Sequence, residues 1–340
     1  MKILGREIKI FSKEKKMRDV KLRKATISSA QGFFTNTKSS AIPTTELETA
    51  FRRDPLIFKG ITKKAEDIFR EGWSIENPFD GTFAPEDLRK KIEDFEKRIN
   101  LKEKLKILAM NTFIYGDGYL ELDDGEENPE KELRYGQLKN VWLVYPPAVR
   151  KVFDENGEIK LYEYNFAGKN VKLHPSRIIN TKFYTYGEGN EGISVIEVAY
   201  NNLLSKMNSD IAVGHIIYKT GKPFPILKKN TLATEEEMDK AEEIIKNLNP
   251  ETGLALDGDW EFELKNPSPI NPHPFNENFY INLGAALRMP SLILIGVQKG
   301  TVTGSEVDLV DYYKDIKNLQ EMHFSNVLIK IYEDLTGLIP

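Results

Sequence analysis

The chain contains no cysteine, which excludes disulfide scaffolds, thiolate-bound zinc, iron–sulfur clusters and thiol nucleophiles. Histidine is nearly as scarce: His174, His215, His273 and His323 are the only four in 340 residues, and no two lie close in sequence. A dominant charge of one sign is also missing. Lys and Arg number 48 against 52 Asp and Glu, so the net charge of -4 marks no general nucleic-acid binder. Long apolar runs are absent: Leu292-Ile293-Leu294-Ile295 is only four residues, far short of a bilayer span. Met1 to Leu4 gives way to Gly5 and Arg6 without the apolar core of a secretory signal. The expectation is a soluble protein, intracellular when made. What is present suffices for a core: hydrophobic residues make up 40% of a chain longer than one ordinary domain needs.

Charge is unevenly spread. Met1 to Lys24 holds ten basic and three acidic residues, a local charge of +7 that leaves -11 for the rest. This segment and the polar stretch to Thr44 read as a basic, flexible N-terminal arm and linker (1–44). Helical spacing then begins. Glu46 to Arg53 is broken by Asp54-Pro55, and a second helix follows with Ile57, Ile61, Ala65 and Ile68 on one face. Pro85 opens a helix carrying Leu88, Ile92, Phe95 and Ile99, and a further turn or two carries Leu105, Leu108 and Ala109. After Asn111 the period changes, and Phe113 to Leu122 reads as a strand pair or bent strand with glycines at the bend.

Trp142–Tyr145, Val149–Phe153, Ile159–Tyr164, Val171–Leu173 and Ile178–Tyr184 read as one small antiparallel sheet. Asn156-Gly157 predicts a primed hairpin turn. Ser194-Val195-Ile196-Glu197 is a capping-box pattern in front of a helix reaching about Tyr218, roughly 40 Å long. Thr234 caps a shorter helix with Met238, Ala241, Ile245 and Leu248 inward, and strands are expected at Leu254–Leu256 and Trp260–Leu264. Phe275 to Arg288 is helical. A glycine-bearing loop follows, and Ser305 opens a last long helix with Leu309, Tyr313, Ile316, Phe324, Val327 and Ile331 inward.

Catalytic patterns fail on inspection. Gly214 to Pro223 has six residues between its glycines, a proline where a phosphate loop needs Ser or Thr, and sits at the wrong end of a helix. Gly187, Gly189 and Gly192 lack dinucleotide-fingerprint spacing and read as a hinge. Glu121, Asp123, Asp124, Glu126 and Glu127 lack calcium-loop spacing and read as a solvated hairpin tip. No nucleophile elbow or His-Glu-x-x-His pattern occurs. The sequence supports neither an enzyme nor a bound cofactor or metal.

An ordered series of features remains. Paired helices flank Asp54-Pro55. Tyr115-Gly116-Asp117-Gly118-Tyr119 follows, then Val144-Tyr145-Pro146 and the Asn156-Gly157 hairpin. Leu173-His174-Pro175-Ser176-Arg177-Ile178-Ile179 leads to Gly192-Ile193-Ser194-Val195-Ile196, and Leu287-Arg288-Met289-Pro290 precedes a glycine-bearing loop and a final helix. This order resembles the portal proteins of tailed double-stranded DNA viruses, from about Thr45 to Glu333.

The resemblance implies an elongated α+β subunit. Its parts would be a wing of helices and antiparallel sheet (45–190), a stem helix (191–220), a small α/β clip (221–272), a second stem helix (273–290), a tunnel loop (291–304) and a long C-terminal helix (305–340) with the crown absent or trimmed. It also implies a virion component: a ring of about twelve copies at one capsid vertex, made in the host cytoplasm. Double-stranded DNA would pass non-specifically through the channel. Terminase, major capsid or scaffold, and neck or tail proteins would be partners, with no membrane. A conduit must hold phosphates weakly, since tight contacts resist sliding. Gln298, Lys299, Lys222, Lys228 and Lys229 are the DNA-channel candidates, and Gly296, Gly300 and Gly304 the hinges of the tunnel loop. The competing reading is another phage structural protein, such as a head–neck adaptor or minor capsid component.

Overall fold

A computed structural model describes residues 2–3, 6–7, 42–75, 84–166, 168–185, 191–220, 224–229, 231–247, 258–265, 271, 273–296 and 302–337. The chain divides into two units, residues 1–201 with 286–340, and residues 202–285. Both divisions fall inside long helices.

In the first unit, α1 (Thr44–Arg53) turns into α2 (Pro55–Ile68) at Asp54. Asp54 Oδ1 accepts from the N–H groups of Leu56 and Ile57 at 2.9 and 3.0 Å, and Pro55 supplies the preset first turn. α3 (Glu86–Ile99) buries Ile92, Phe95 and Ile99 and stops at left-handed Asn100. α4 (Leu101–Tyr115) is the central helix and buries Leu101, Leu105, Leu108, Ala109 and Phe113. The strand expected from Phe113 onward therefore begins later. Phe113, Ile114 and Tyr115 remain helical, because Phe113 and Ile114 extend the buried surface of α4. Gly116, at φ +85°, ends the helix.

Two three-stranded antiparallel sheets follow, where the sequence suggested one. The first has β1 (Asp117–Asp123) between β2 (Asn140–Val144) and β6 (Ile178–Lys182). The second runs β3 (Val149–Phe153), β4 (Ile159–Phe166), β5 (Lys169–Leu173). Tyr119, Val144 and Ile178 from the first sheet pack with Tyr162 and Leu173 from the second. On the opposite face, Thr181 Oγ1 meets Thr112 Oγ1 of α4 at 2.8 Å. A sheet covered on both faces explains why five of the seven β1 residues are buried, Asp117 among them. The β3–β4 turn is not primed: of Asn156 and Gly157 only the glycine has positive φ, and Asp154 Oδ1 binds the N–H groups of Asn156 and Glu158 at 2.9 and 2.8 Å.

The unit closes with α8 (Ser291–Ile295), α9 (Val302–Leu319), a π-helical turn (Gln320–Phe324) and α10 (Ser325–Thr336). Tyr312, Ile316, Leu319, Phe324, Val327, Ile331 and Leu335 are buried. The step from Leu319 to Phe324 is five residues, where a regular helical face allows three or four. The π turn absorbs the extra residue and keeps both halves of the stripe on one side. Tyr312 is the inward residue and Tyr313 is exposed, reversing the sequence expectation. Phe324 stacks edge-on against Phe69 at 5.2 Å, and Gln320 Nε2 caps the Ile68 carbonyl at 2.6 Å.

The second unit contains most of α5 (Val195–Thr220) and of α7 (His273–Leu287). Between them lie β7 (Phe224–Lys229), α6 (Glu235–Lys246) and β8 (Trp260–Lys265), with β7 and β8 forming a two-stranded antiparallel sheet. Leu203 and Leu283 are buried, and Asn202 Nδ2 donates to the Phe279 carbonyl at 3.0 Å, tying α5 to α7. The strand expected at Leu254–Leu256 lies outside the described residues.

Candidate functional site

Several motifs of the ordered series meet in space. Tyr115 donates to Glu48 of α1 at 2.9 Å. Gly116 lies back to back with Gly192: a Cβ on Gly116 would fall 2.2 Å from the Gly192 carbonyl oxygen. Asp117 Oδ2 accepts from Gly192 N at 2.9 Å, while Oδ1 accepts from Asn180 Nδ2 at 2.8 Å and Lys151 Nζ at 3.3 Å. Gly118 has no room for a side chain beside Thr112 and Thr181. Ser194 Oγ donates to the Ile114 carbonyl at 2.6 Å and accepts from the N–H groups of Ile196 and Glu197, so it caps α5. The Tyr-Gly-Asp-Gly-Tyr segment is thus the socket in which the first long helix starts.

The His-Pro-Ser-Arg segment holds the long loop between β1 and β2. Ser176 Oγ accepts from Leu133 N at 2.9 Å, and Arg177 Nε donates to the Lys131 carbonyl at 2.6 Å. Arg177 also grips Asp124, which has no exposed surface. Arg134 N and Nε add bonds to the same carboxylate at 2.9 and 3.1 Å. Burial opposes the charge on Asp124, but these hydrogen bonds hold its carboxyl well below the usual carboxylate range. The acidic run is therefore not simply a solvated tip, as Asp124 is its buried anchor. Glu121 accepts from Tyr164 at 2.7 Å, and burial raises its carboxyl. Nothing in the local sequence distinguishes Asp124 from its neighbours, since its partners lie ten and fifty-three residues away.

The long helices carry uncovered apolar residues. In the first unit, Val198 on α5 is 63% exposed, and Val307 and Val310 on α9 are 56% and 54% exposed. In the second unit Ile211 and Met207 on α5 and Ile281 on α7 are exposed, as are Leu232, Met238 and Leu264 around the small sheet. Ala241 is the one fully buried apolar residue of α6.

The channel candidates are only partly placed. Gln298, Lys299, Lys222 and Gly300 lie outside the described residues. Lys228 pairs with Glu263 across the β7–β8 sheet. Lys229 bonds Glu237 at 2.7 Å and lies 5.7 Å over the Trp260 ring. Both charges are thus met by carboxylates within the unit. Gly296, at φ +74°, ends α8. Gly304 lies inside α9, which starts at Val302, three residues before Ser305, so the expected loop is shorter. Among the described residues no group of three His, Cys, Asp or Glu side chains is placed to hold a metal, and no helix is long and apolar enough to cross a membrane.

Residues 45–337 match the family model described as phage portal protein. A chain from the neck of a native gene transfer agent particle, determined with C12 symmetry, aligns with TM-score 0.61 and 14% identity, covering 86% of this chain and 81% of that one. A chain from the neck of an empty particle of this kind, determined with C6 symmetry, gives TM-score 0.60 and 16% identity over 77% and 73% of the two chains. A chain from the native gene transfer agent virion gives 0.53 and 15% over 77% and 72%. No curated protein sequence matches. These likenesses establish the α+β fold, and the match over residues 45–337 establishes the family. The chain belongs to the phage portal protein family.

Proposed function

We propose that this portal-family chain closes into a ring of about twelve copies at the capsid vertex, with double-stranded DNA passing through its centre. The observation that carries the reading is the uncovered apolar surface of the long helices: Val198 and Ile211 on α5, Ile281 on α7, Val307 and Val310 on α9. Apolar side chains left in water on three long helices are contact surface in this reading, and copies related by a closed rotation would cover them. The small sheet of β7 and β8 points the same way. A two-stranded sheet with one helix on it, burying a single residue of that helix, is marginal alone and gains from neighbours.

In this reading residues 221–272 form the clip and α5 and α7 the stem. Lys299 and Gln298, between α8 and α9, touch phosphates without reading bases. Lys222 remains a second candidate near the lower mouth, whereas the paired Lys228 and Lys229 serve the clip itself. Terminase, capsid or scaffold, and neck or tail proteins are the partners, and the role is structural, not enzymatic.

Sedimentation of the full chain tests the assembly. Ile211→Asp and Val310→Asp each place a charge on an exposed helix face and should leave the fold intact while converting large assemblies into single copies. Assemblies of unchanged size in both variants would contradict the reading.

A further inference from the structure

Tyr184 and Arg288 touch, and both hold left-handed backbone, at φ +33° and φ +49°. For residues with a Cβ that region is disfavoured by about tenfold or more. Arg288 is the first residue past α7, a position that ordinarily takes glycine when the chain turns left-handed. Its side chain offsets the strain. The Nη2 atom bonds Asp315 Oδ1 at 2.7 Å, and the guanidinium lies 5.4 Å from the Tyr184 ring centre.

Asp315, on α9, is buried. Its other oxygen accepts from Lys64 of α2 at 3.0 Å, and Lys64 also donates to the Leu287 carbonyl, one residue before the corner, at 3.0 Å. Lys64 is itself buried; desolvation favours its neutral form, against the pull of Asp315. The two cations are not equivalent. Lys64 and Asp315 form a balanced buried pair. Arg288 is a second cation on the same carboxylate, with 48% of its side chain exposed. It can swing into water without leaving a buried charge unpaired, whereas Lys64 cannot. The Tyr184 carbonyl accepts from Ile193 N at 2.9 Å, so the contact joins the chain entering α5 to the chain leaving α7.

We propose that Arg288 is a strained latch, docked on Tyr184 and Asp315, that holds the corner between α7 and α8 left-handed. On release the corner relaxes and redirects the chain into α8. The latch does not rest on the portal reading.

Amide exchange and thermal unfolding of the full chain test it in Arg288→Ala, Arg288→Gly and Tyr184→Leu. Arg288→Ala keeps the Cβ that disfavours the left-handed corner and loses both contacts, so exchange at residues 288–296 should rise about tenfold while α2 stays protected. Arg288→Gly removes the strain as well and should unfold at a higher temperature than the alanine variant. Tyr184→Leu should reproduce the local rise, and it decides the question if the Arg288 variants do not fold. Alanine equal to or more stable than glycine at 288, or unchanged exchange at 288–296, would overturn the latch.

Discussion

Arg177 meets Asp124 through both terminal guanidinium nitrogens, Nη1 to Oδ1 at 2.9 Å and Nη2 to Oδ2 at 3.2 Å, with both residues buried. The pair fastens the loop between β1 and β2 to the turn that opens β6. Asp124→Ala strands a buried guanidinium, and the expected loss is about 3–5 kcal/mol in urea unfolding. Glu127→Ala, an exposed change in the same acidic run, should stay within about 0.5 kcal/mol.

The same aspartate sets an acid limb. Its folded pKa lies below the unfolded value, about 3.9, so the unfolded chain takes up the proton first. Its contribution is therefore complete at neutral pH and is lost as pH falls below about 4. Unfolding curves from pH 7 down to about 2 should fall less steeply in Asp124→Asn than in the native chain. Identical slopes would show that Asp124 is not the titrating group.

Gly116 cannot carry a side chain. Its φ is +85°, and a Cβ would strike the Gly192 backbone. Gly116→Ala should cost about 2–4 kcal/mol and loosen the start of α5. Gly157→Ala has the same positive φ with open space around it, and should cost only about 1 kcal/mol. Thermal unfolding of the two variants separates clash from strain.

The π turn keeps two halves of a buried stripe in phase. Inserting one alanine after Met322, which is exposed, exceeds what a single π turn absorbs and would turn Val327, Ile331 and Leu335 away from the core by about 100°. Losing the burial of three such side chains is worth about 5 kcal/mol or more, enough to unfold the C-terminal segment. Met322→Ala should be near neutral. Circular dichroism melts of both variants make the comparison.

Lys299 gives a prediction outside the described residues. Lys299→Ala should leave assembly unchanged and alter DNA packaging or retention. Unchanged packaging and unchanged retention would remove Lys299 from the channel.

Much of this was legible in the sequence where local chemistry decides. Asp54-Pro55 announces the α1–α2 corner because a carboxylate cap and a preset φ act within three residues. Thr234 and Glu237 announce α6 for the same reason. Partners distant in sequence are not legible. Asp124 is indistinguishable from Asp123 until Arg177 is brought beside it, and Arg288 looks like any surface arginine until Asp315 and Tyr184 are placed. Phe113 to Tyr115 misled because the aromatic and branched residues that favour strands here fill the buried end of a helix. The five-residue step from Leu319 to Phe324 is present in the sequence, but a stripe running from Ile316 to Phe324 passes over Leu319 and fits an unbroken helix.

The central claim is that the uncovered helix faces are covered by further copies of this chain around an open axis. Negative-stain imaging of the purified full chain tests it most directly. The account predicts closed rings with a central hole and a single dominant rotational order. Dispersed single subunits at high concentration, or compact particles without a hole, would contradict it.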